Sequence, residues 1–368
     1  MELVLTFSTS LLLAIGLIPL CARRALQWQL VDHPSEARKV HRQPIPRIGG
    51  ICIVASGLVG SAYWLLPLDF ADYELASVLV GGIIIAGFGL LDDRFDLGYR
   101  VKFLGQILAT LPLLAGGVYF QVIPFWGVEP APVWISMPLT FFFMLGAINA
   151  VNLADGLDGL AAGLCGIANC GFLLVAALVA QQGFSQDPVM DIVRICVILA
   201  TLGAVAGFLP YNFNPASIFM GDAGSLLLGY LCMATVLLFT PDTGAYAPKL
   251  VTALLIIYAI PITDTLLAII RRKAQGKSIT APDNGHIHHL LRRSGFGVKQ
   301  TVVLLYAGAV VFAVIGVGMV YLDLQWRYML AVFFPLYSFM MVVIFHYSQN
   351  LTLREQLKAE GQLDDRAL

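Results

Sequence analysis

The stretch LASVLVGGIIIAGFGLLDDRFDLGYRVKFLGQ (75–106) decides how the chain is read. Seventeen residues without a charge, 75–91, run straight into Asp92, Asp93 and Asp96. An uncharged run of that length approaches the roughly 20 residues a helix needs to cross hydrocarbon. Carboxylates at its end sit where lipid gives way to water, a place where ionisable groups are costly and mark function. Comparable apolar runs recur at 3–21, 49–66, 103–121, 134–150, 160–180, 191–209, 218–239, 250–270, 300–321 and 328–346. The expectation is an all-α integral membrane protein of about eleven transmembrane helices. It forms a single polytopic domain over 1–368, closed by a tail at 347–368. Composition agrees: 58% of the 368 residues are apolar and 12% charged, with a mean hydropathy of +0.81, which excludes an ordinary water-soluble enzyme. A net charge of −1, with no contiguous basic face, excludes nucleic acid as a partner and leaves membrane lipid.

The first apolar run carries Glu2 and no preceding basic residue, while Arg23 and Arg24 follow it. That order is the reverse of a cleaved signal peptide, so an uncleaved first span is expected. Basic residues set the orientation. Six lie in 22–48, three in 92–102, seven in 271–299 and three after 346, whereas Arg194, Lys249 and Arg327 fall at the opposite face. The N-terminus is expected outside and the C-terminus and its tail in the cytosol. The short outer turns hold Asp69, Asp72, Glu74, Glu129, Asp187 and Asp242. All six cysteines sit in or beside apolar spans without metal-type spacing and read as small buried hydrophobes.

Orientation rests on Lys and Arg alone, yet it gathers every acidic motif on the cytosolic side. Those motifs are LDDRFDLGYRVKFLGQ (91–106), NAVNLADGLDGLAAG (149–163), NFNPASIFMGDAGS (212–225), PITD (261–264) and DNGHIHH (283–289). Each has a structural alternative. Asp92 and Asp93 could end a helix in solvent, and the Asp-Gly pairs at Asp155 and Asp158 are ordinary turn chemistry. Asp222 could cap the helix that follows it, Asp264 could serve freed backbone groups beside Pro261, and Lys102 could be a snorkelling flank residue. The one-sided gathering is what these alternatives leave unexplained. Carboxylates clustered at apolar helix ends are hard oxygen ligands for Mg2+, with Mn2+ as an alternative. Together with His286, His288 and His289 they suit phosphoryl transfer, where positioning and charge neutralisation do most of the catalysis.

In these residues, and in PRIGG (46–50), KFLGQ (102–106), FMGDAGS (219–225) and HIHHLL (286–291), the sequence resembles the polyprenyl-phosphate N-acetylhexosamine-1-phosphate transferases over most of its length. The resemblance implies transfer of a sugar 1-phosphate from a UDP-sugar to a polyprenyl phosphate, as the first membrane step of a cell-surface polysaccharide pathway. It assigns Asp92 and Asp93 to catalysis, together with Asp155 and Asp158, and Asp222 to the magnesium ion. Lys102, Asn152, Phe219 (as a uracil-stacking ring), Asp264 and the three histidines fall to substrate binding. HIHHLL looks like the N-acetylglucosamine branch, so UDP-N-acetylglucosamine and undecaprenyl phosphate are the expected substrates. A phospho-N-acetylmuramoyl-pentapeptide translocase, or a sibling using another UDP-N-acetylhexosamine, is the alternative, and an ion-coupled secondary transporter the rival from another class. A homodimer is compatible with the sequence. Arg47 departs from the uncharged residue expected in PRIGG and leaves that loop without a role.

Overall fold

The computed structural model describes residues 2–25, 27–32, 44–65, 73–123, 130–241, 243–276, 278 and 285–359. The outer-turn acids Asp69, Asp72, Glu129 and Asp242 lie outside the described residues, as does 360–368 of the expected tail. In chain order the helices are α1 (Glu2–Ala22), α2 (Gly49–Leu65), α3 (Tyr73–Phe95), α4 (Tyr99–Ala115), α5 (Val133–Ala154), α6 (Leu160–Gln182), α7 (Pro188–Asn212), α8 (Gly221–Leu237), α9 (Ala247–Ile257), α10 (Ala259–Ala274), α11 (Ile287–Arg293), α12 (Val298–Tyr321) and α13 (Trp326–Ala359). A minimal hairpin, β1 (Val31–Asp32) antiparallel to β2 (Ile45–Pro46), stands between α1 and α2.

Each apolar run named above coincides with a helix or, for 250–270, with the pair α9 and α10, which bend by 78° at their junction. By length and composition, seven helices of the described residues can cross a bilayer, or eight if the bent pair is one span. The helices α2, α4 and α8 have 17 residues each, about 25 Å at 1.5 Å per residue, short of a hydrocarbon core about 30 Å thick. Large apolar side chains such as Leu12, Val80, Val314 and Phe339 stand exposed on the outer faces of the bundle, as a lipid-facing surface requires.

The short α8 is central to the bundle, packed by α2, α3, α5 and α6, with almost every residue buried. Small residues let the neighbouring backbones approach closely, as is usual in membrane bundles. A Cβ on Gly89 of α3 would stand 2.6 Å from the Ala223 backbone nitrogen. Of the three basic residues expected at the face opposite the acids, Arg327 is exposed and donates to Gln325 Oε1 at 2.8 Å, and the other two are held in ion pairs. Arg194, fully buried, donates through Nε to the Leu238 carbonyl (2.9 Å) and pairs with Asp191 at 2.7 Å. Lys249 pairs with Asp323 and lies 4.0 Å from the centre of the Phe184 ring. Their departure from the expected charge distribution is thus offset by tertiary contacts. Cys52, Cys165, Cys196 and Cys232 are buried as expected, while Cys170 is exposed.

Candidate active site

The polar end of the bundle is organised by the start of α8. Three backbone hydrogen bonds lay PRIGG along FMGD: Phe219 N–H to the Pro46 carbonyl (2.8 Å), Gly49 N–H to the Phe219 carbonyl (3.0 Å) and Gly50 N–H to the Met220 carbonyl (2.8 Å). Gly50 permits the approach, since a Cβ there would stand 2.2 Å from the Gly224 backbone nitrogen. Gly221 opens α8 at φ +72°, a left-handed conformation that glycine holds at little cost. The next two amides, of Asp222 and Ala223, donate to Asp93 Oδ1 (2.8 Å) and Oδ2 (3.0 Å). The helix start is therefore capped by Asp93, reaching across from α3, and not by Asp222.

Asp222 faces α4 and α5 instead. Its Oδ2 lies 2.8 Å from Lys102 Nζ, and its Oδ1 accepts from Asn152 Nδ2 at 3.0 Å. Asn152 also donates to Ser225 Oγ at 2.9 Å, so in this arrangement it holds the carboxylate in place. Asp92 Oδ2 lies 2.5 Å from the same ammonium while its Oδ1 accepts the Leu97 N–H at 2.8 Å. Lys102 is thus bound between two acids from separate helices, which a snorkelling residue would not be. Among the described residues no three His, Cys, Asp or Glu side chains converge as a ready-made metal cage. Asp92 Oδ2 and Asp222 Oδ2 do converge on one cationic centre. Two hard oxygens at such a point fit Mg2+, which takes one or two protein carboxylates and completes its shell with water and substrate phosphate.

Beside this pair opens a cleft of about 280 Å³, lined by Arg47, Asp155, Asp158, Asn212, Phe219 and Gly221 among others. Asp158 Oδ2 accepts from Asn214 Nδ2 (2.8 Å) and the Ala216 N–H (3.0 Å). Asn212 accepts the Gly159 N–H at 3.0 Å and donates to the Ile218 carbonyl at 2.9 Å. These two asparagines fasten the loop between α5 and α6 to the approach to α8. Their one signal in the sequence is the pair of asparagines flanking Phe213 just before a proline. Gln106 of α4, without a signal of its own in the sequence, exchanges paired amide hydrogen bonds with Asn149 of α5, at 3.2 and 2.8 Å. The backbone N–H of Asp155 closes α5 on the Val151 and Asn152 carbonyls, but its carboxyl has no hydrogen-bond partner among the described residues. Burial, reinforced by the charges of Asp222 and Asp93, holds its carboxyl well above the usual carboxylate range, while Arg47 opposes the shift.

The histidine loop joins from the far side of the sequence. Asp264 of α10 uses both oxygens on it: Oδ2 lies 2.9 Å from His286 Nδ1 and Oδ1 accepts the Ile287 N–H at 2.9 Å. The geometry gives Asp264 the job of holding the loop. Ile287, His286 and His288 are all buried, so the start of α11 is packed into the bundle. His286 and His288 lie near-parallel with ring centres 5.8 Å apart, and His288 and His289 are 4.2 Å apart. His288 closes against Gly156, where a Cβ would stand 3.1 Å from its Nε2. Burial, then the His289 charge, pushes the His288 pKa down to about 4, so at neutral pH its imidazole is uncharged. The structure thus brings all the residues singled out from the sequence to one end of the bundle.

Residues 75–240 match glycosyl transferase family 4. The chain is 35% identical over 321 residues to a probable undecaprenyl-phosphate N-acetylglucosaminyl 1-phosphate transferase of Bacillus subtilis, covering 85% of this chain and 84% of the relative. It is 37% identical over 301 residues to a decaprenyl-phosphate N-acetylglucosaminephosphotransferase of Mycobacterium tuberculosis (75% and 72% covered). With an undecaprenyl-phosphate alpha-N-acetylglucosaminyl 1-phosphate transferase of Yersinia pestis it shares 32% over 322 residues (85% and 84% covered). Fold, site and relatives together define a multi-pass membrane enzyme that transfers a phospho-sugar. The chain belongs to the polyprenyl-phosphate N-acetylhexosamine-1-phosphate transferase family.

Proposed function

We propose that this protein transfers N-acetylglucosamine 1-phosphate from UDP-N-acetylglucosamine to undecaprenyl phosphate, at the cytosolic face of a bacterial inner membrane, as the first membrane step of a cell-surface polysaccharide pathway. The observation that carries it is the meeting of Asp92, Asp222 and Lys102 beside a polar cleft lined by Phe219, Asp155 and Asp158. The names of the relatives support the sugar; they divide between undecaprenyl and decaprenyl carriers, and the undecaprenyl choice follows the two of higher coverage. The basic residues of 22–48, 92–102 and 271–299 favour the cytosol for the acid-bearing end, with eleven spans, an external N-terminus and a cytosolic C-terminus.

An oxygen of the acceptor phosphate attacks the phosphorus that bears the sugar. The bond to the bridging oxygen of UMP breaks, and UMP leaves with the bonding electrons. One phosphoanhydride replaces another, so the reaction is close to thermoneutral. Phosphate monoesters are largely ionised at neutral pH, so Asp92 as base contributes less than neutralisation of converging negative charge does. Lys102, held between Asp92 and Asp222, supplies a fixed positive charge at the reacting end, Phe219 a face for the uracil ring, and the uncharged His288 a hydrogen bond to the sugar phosphate. Mg2+, held by Asp222 and Asp92, would offset the phosphate charge. An apolar groove of about 1030 Å³ between α6, α7 and α12 reaches Tyr306, whose hydroxyl donates to the Gly159 carbonyl. It offers the acceptor's isoprenoid chain a bed that ends beside Asp158.

The test is purified protein with magnesium, undecaprenyl phosphate and UDP-N-acetylglucosamine labelled in the sugar. Label should enter the lipid with stoichiometric UMP release. Asp222→Ala should abolish both, and Asp92→Asn should leave residual turnover. Label that stays in water, or metal-dependent turnover retained by Asp222→Ala, would overturn the assignment.

A further inference from the structure

We infer that Arg47 is a substrate-binding residue that grips the phosphate of the donor's nucleotide half; this rests on the nucleotide reading above and deepens it. Arg47 is the lone Lys or Arg lining the cleft among the described residues, and it shares that cleft with Asp155, Asp158 and Phe219. No described residue accepts a hydrogen bond or forms an ion pair with its guanidinium. Its charge acts on Asp155 and Asp93 without contact. An arginine whose five donors meet no acceptor among the described residues, in a polar cleft, is matched by an anion with planar or tetrahedral oxygens.

The backbone holds it there. The Arg47 N–H donates to the Leu30 carbonyl at 2.9 Å, and the bonds of Pro46, Gly49 and Gly50 to Phe219 and Met220 fix the residue on both sides. Arg47 and Phe219 are therefore presented to the cleft by two strands of chain that are hydrogen-bonded to each other. A ring that stacks on a base and a guanidinium at a fixed offset from it form a receptor for a nucleoside monophosphate. Lys102 is committed to Asp92 and Asp222, which leaves Arg47 as the cation for the phosphate nearer the base. PRIGG thereby gains a role: its glycines dock the loop and its arginine reads charge.

The experiment compares UMP with uridine, both titrated by calorimetry against the full-length protein in detergent with magnesium, for wild type, Arg47→Gln and Arg47→Lys. Losing a charge-assisted contact should weaken UMP on the order of 10- to 100-fold in Arg47→Gln while uridine binding stays unchanged. Arg47→Lys should recover part of the loss, since lysine keeps the charge but not the fork. If Arg47 merely props the loop against Phe219, UMP and uridine weaken by the same factor, and the inference fails. Unchanged UMP binding in Arg47→Gln overturns it equally. A wild-type protein that binds neither compound would overturn the nucleotide reading itself.

Discussion

Gly50→Ala tests whether the contact between α2 and α8 sets the site. The added Cβ would stand 2.2 Å from the Gly224 nitrogen and 2.8 Å from both Gly224 Cα and the Ala223 carbonyl carbon. All three are backbone atoms, so no side chain can turn away. To reach an ordinary contact the two helices must separate by about 1 Å, and the Gly50–Met220 hydrogen bond, now 2.8 Å, is stretched with them. Overpacking of this kind costs about 1–3 kcal/mol. The helix start that moves carries Phe219 and Asp222, and misplacing reactive groups by about 1 Å can cost about 100-fold in rate. The assay is UMP release together with thermal unfolding in detergent. Gly57→Ala on the same helix is the control: a Cβ there meets nothing within 4 Å, and alanine is the better helix former. Gly50→Ala should lose several degrees of apparent Tm and most of its turnover, while Gly57→Ala keeps both. A Gly50→Ala protein indistinguishable from Gly57→Ala would refute the argument.

Removing the carboxylate in Asp93→Ala strips both amides of the α8 start, which should cost about 1–2 kcal/mol and raise hydrogen exchange at 222–223; unaltered protection there would remove Asp93 as the cap. Asp155 is held above the ordinary carboxylate range near 3.8, so the folded protein binds a proton there that the unfolded chain gives up. Stability is therefore lost as pH rises above about 4. Asp155→Asn should melt higher than wild type at pH 7 with chelator present, by a margin that shrinks towards pH 4, while turnover falls; a pH-independent margin would contradict this.

Much of the site could be read from local sequence because lipid imposes a local rule. A carboxylate at the end of seventeen uncharged residues, as at Asp92, is conspicuous without any knowledge of its neighbours. The division of labour among the acids was not legible. Asp93 and Asp92 are adjacent letters, yet Asp93 is spent on the backbone of α8 and Asp92 meets Lys102. Adjacent helical positions point about 100° apart, and which of them meets α8 depends on how α3 is rotated against it. Arg47 reads in sequence only as a departure from the expected PRIGG pattern for the same reason: Asp155 and Phe219, which share its cleft, lie more than a hundred residues away.

The sequence by itself determined that the chain is a helical membrane protein, where its apolar runs fall, and that its acids belong together, because hydropathy and charge are properties of single segments. Tertiary structure alone decided which acids hold the scaffold and which face the cleft. It also decided that PRIGG is docked on FMGD and that Arg194 and Lys249 are neutralised by Asp191 and Asp323. Those outcomes depend on distances between segments remote in the chain, fixed by close packing of small residues around α8 that no single segment encodes.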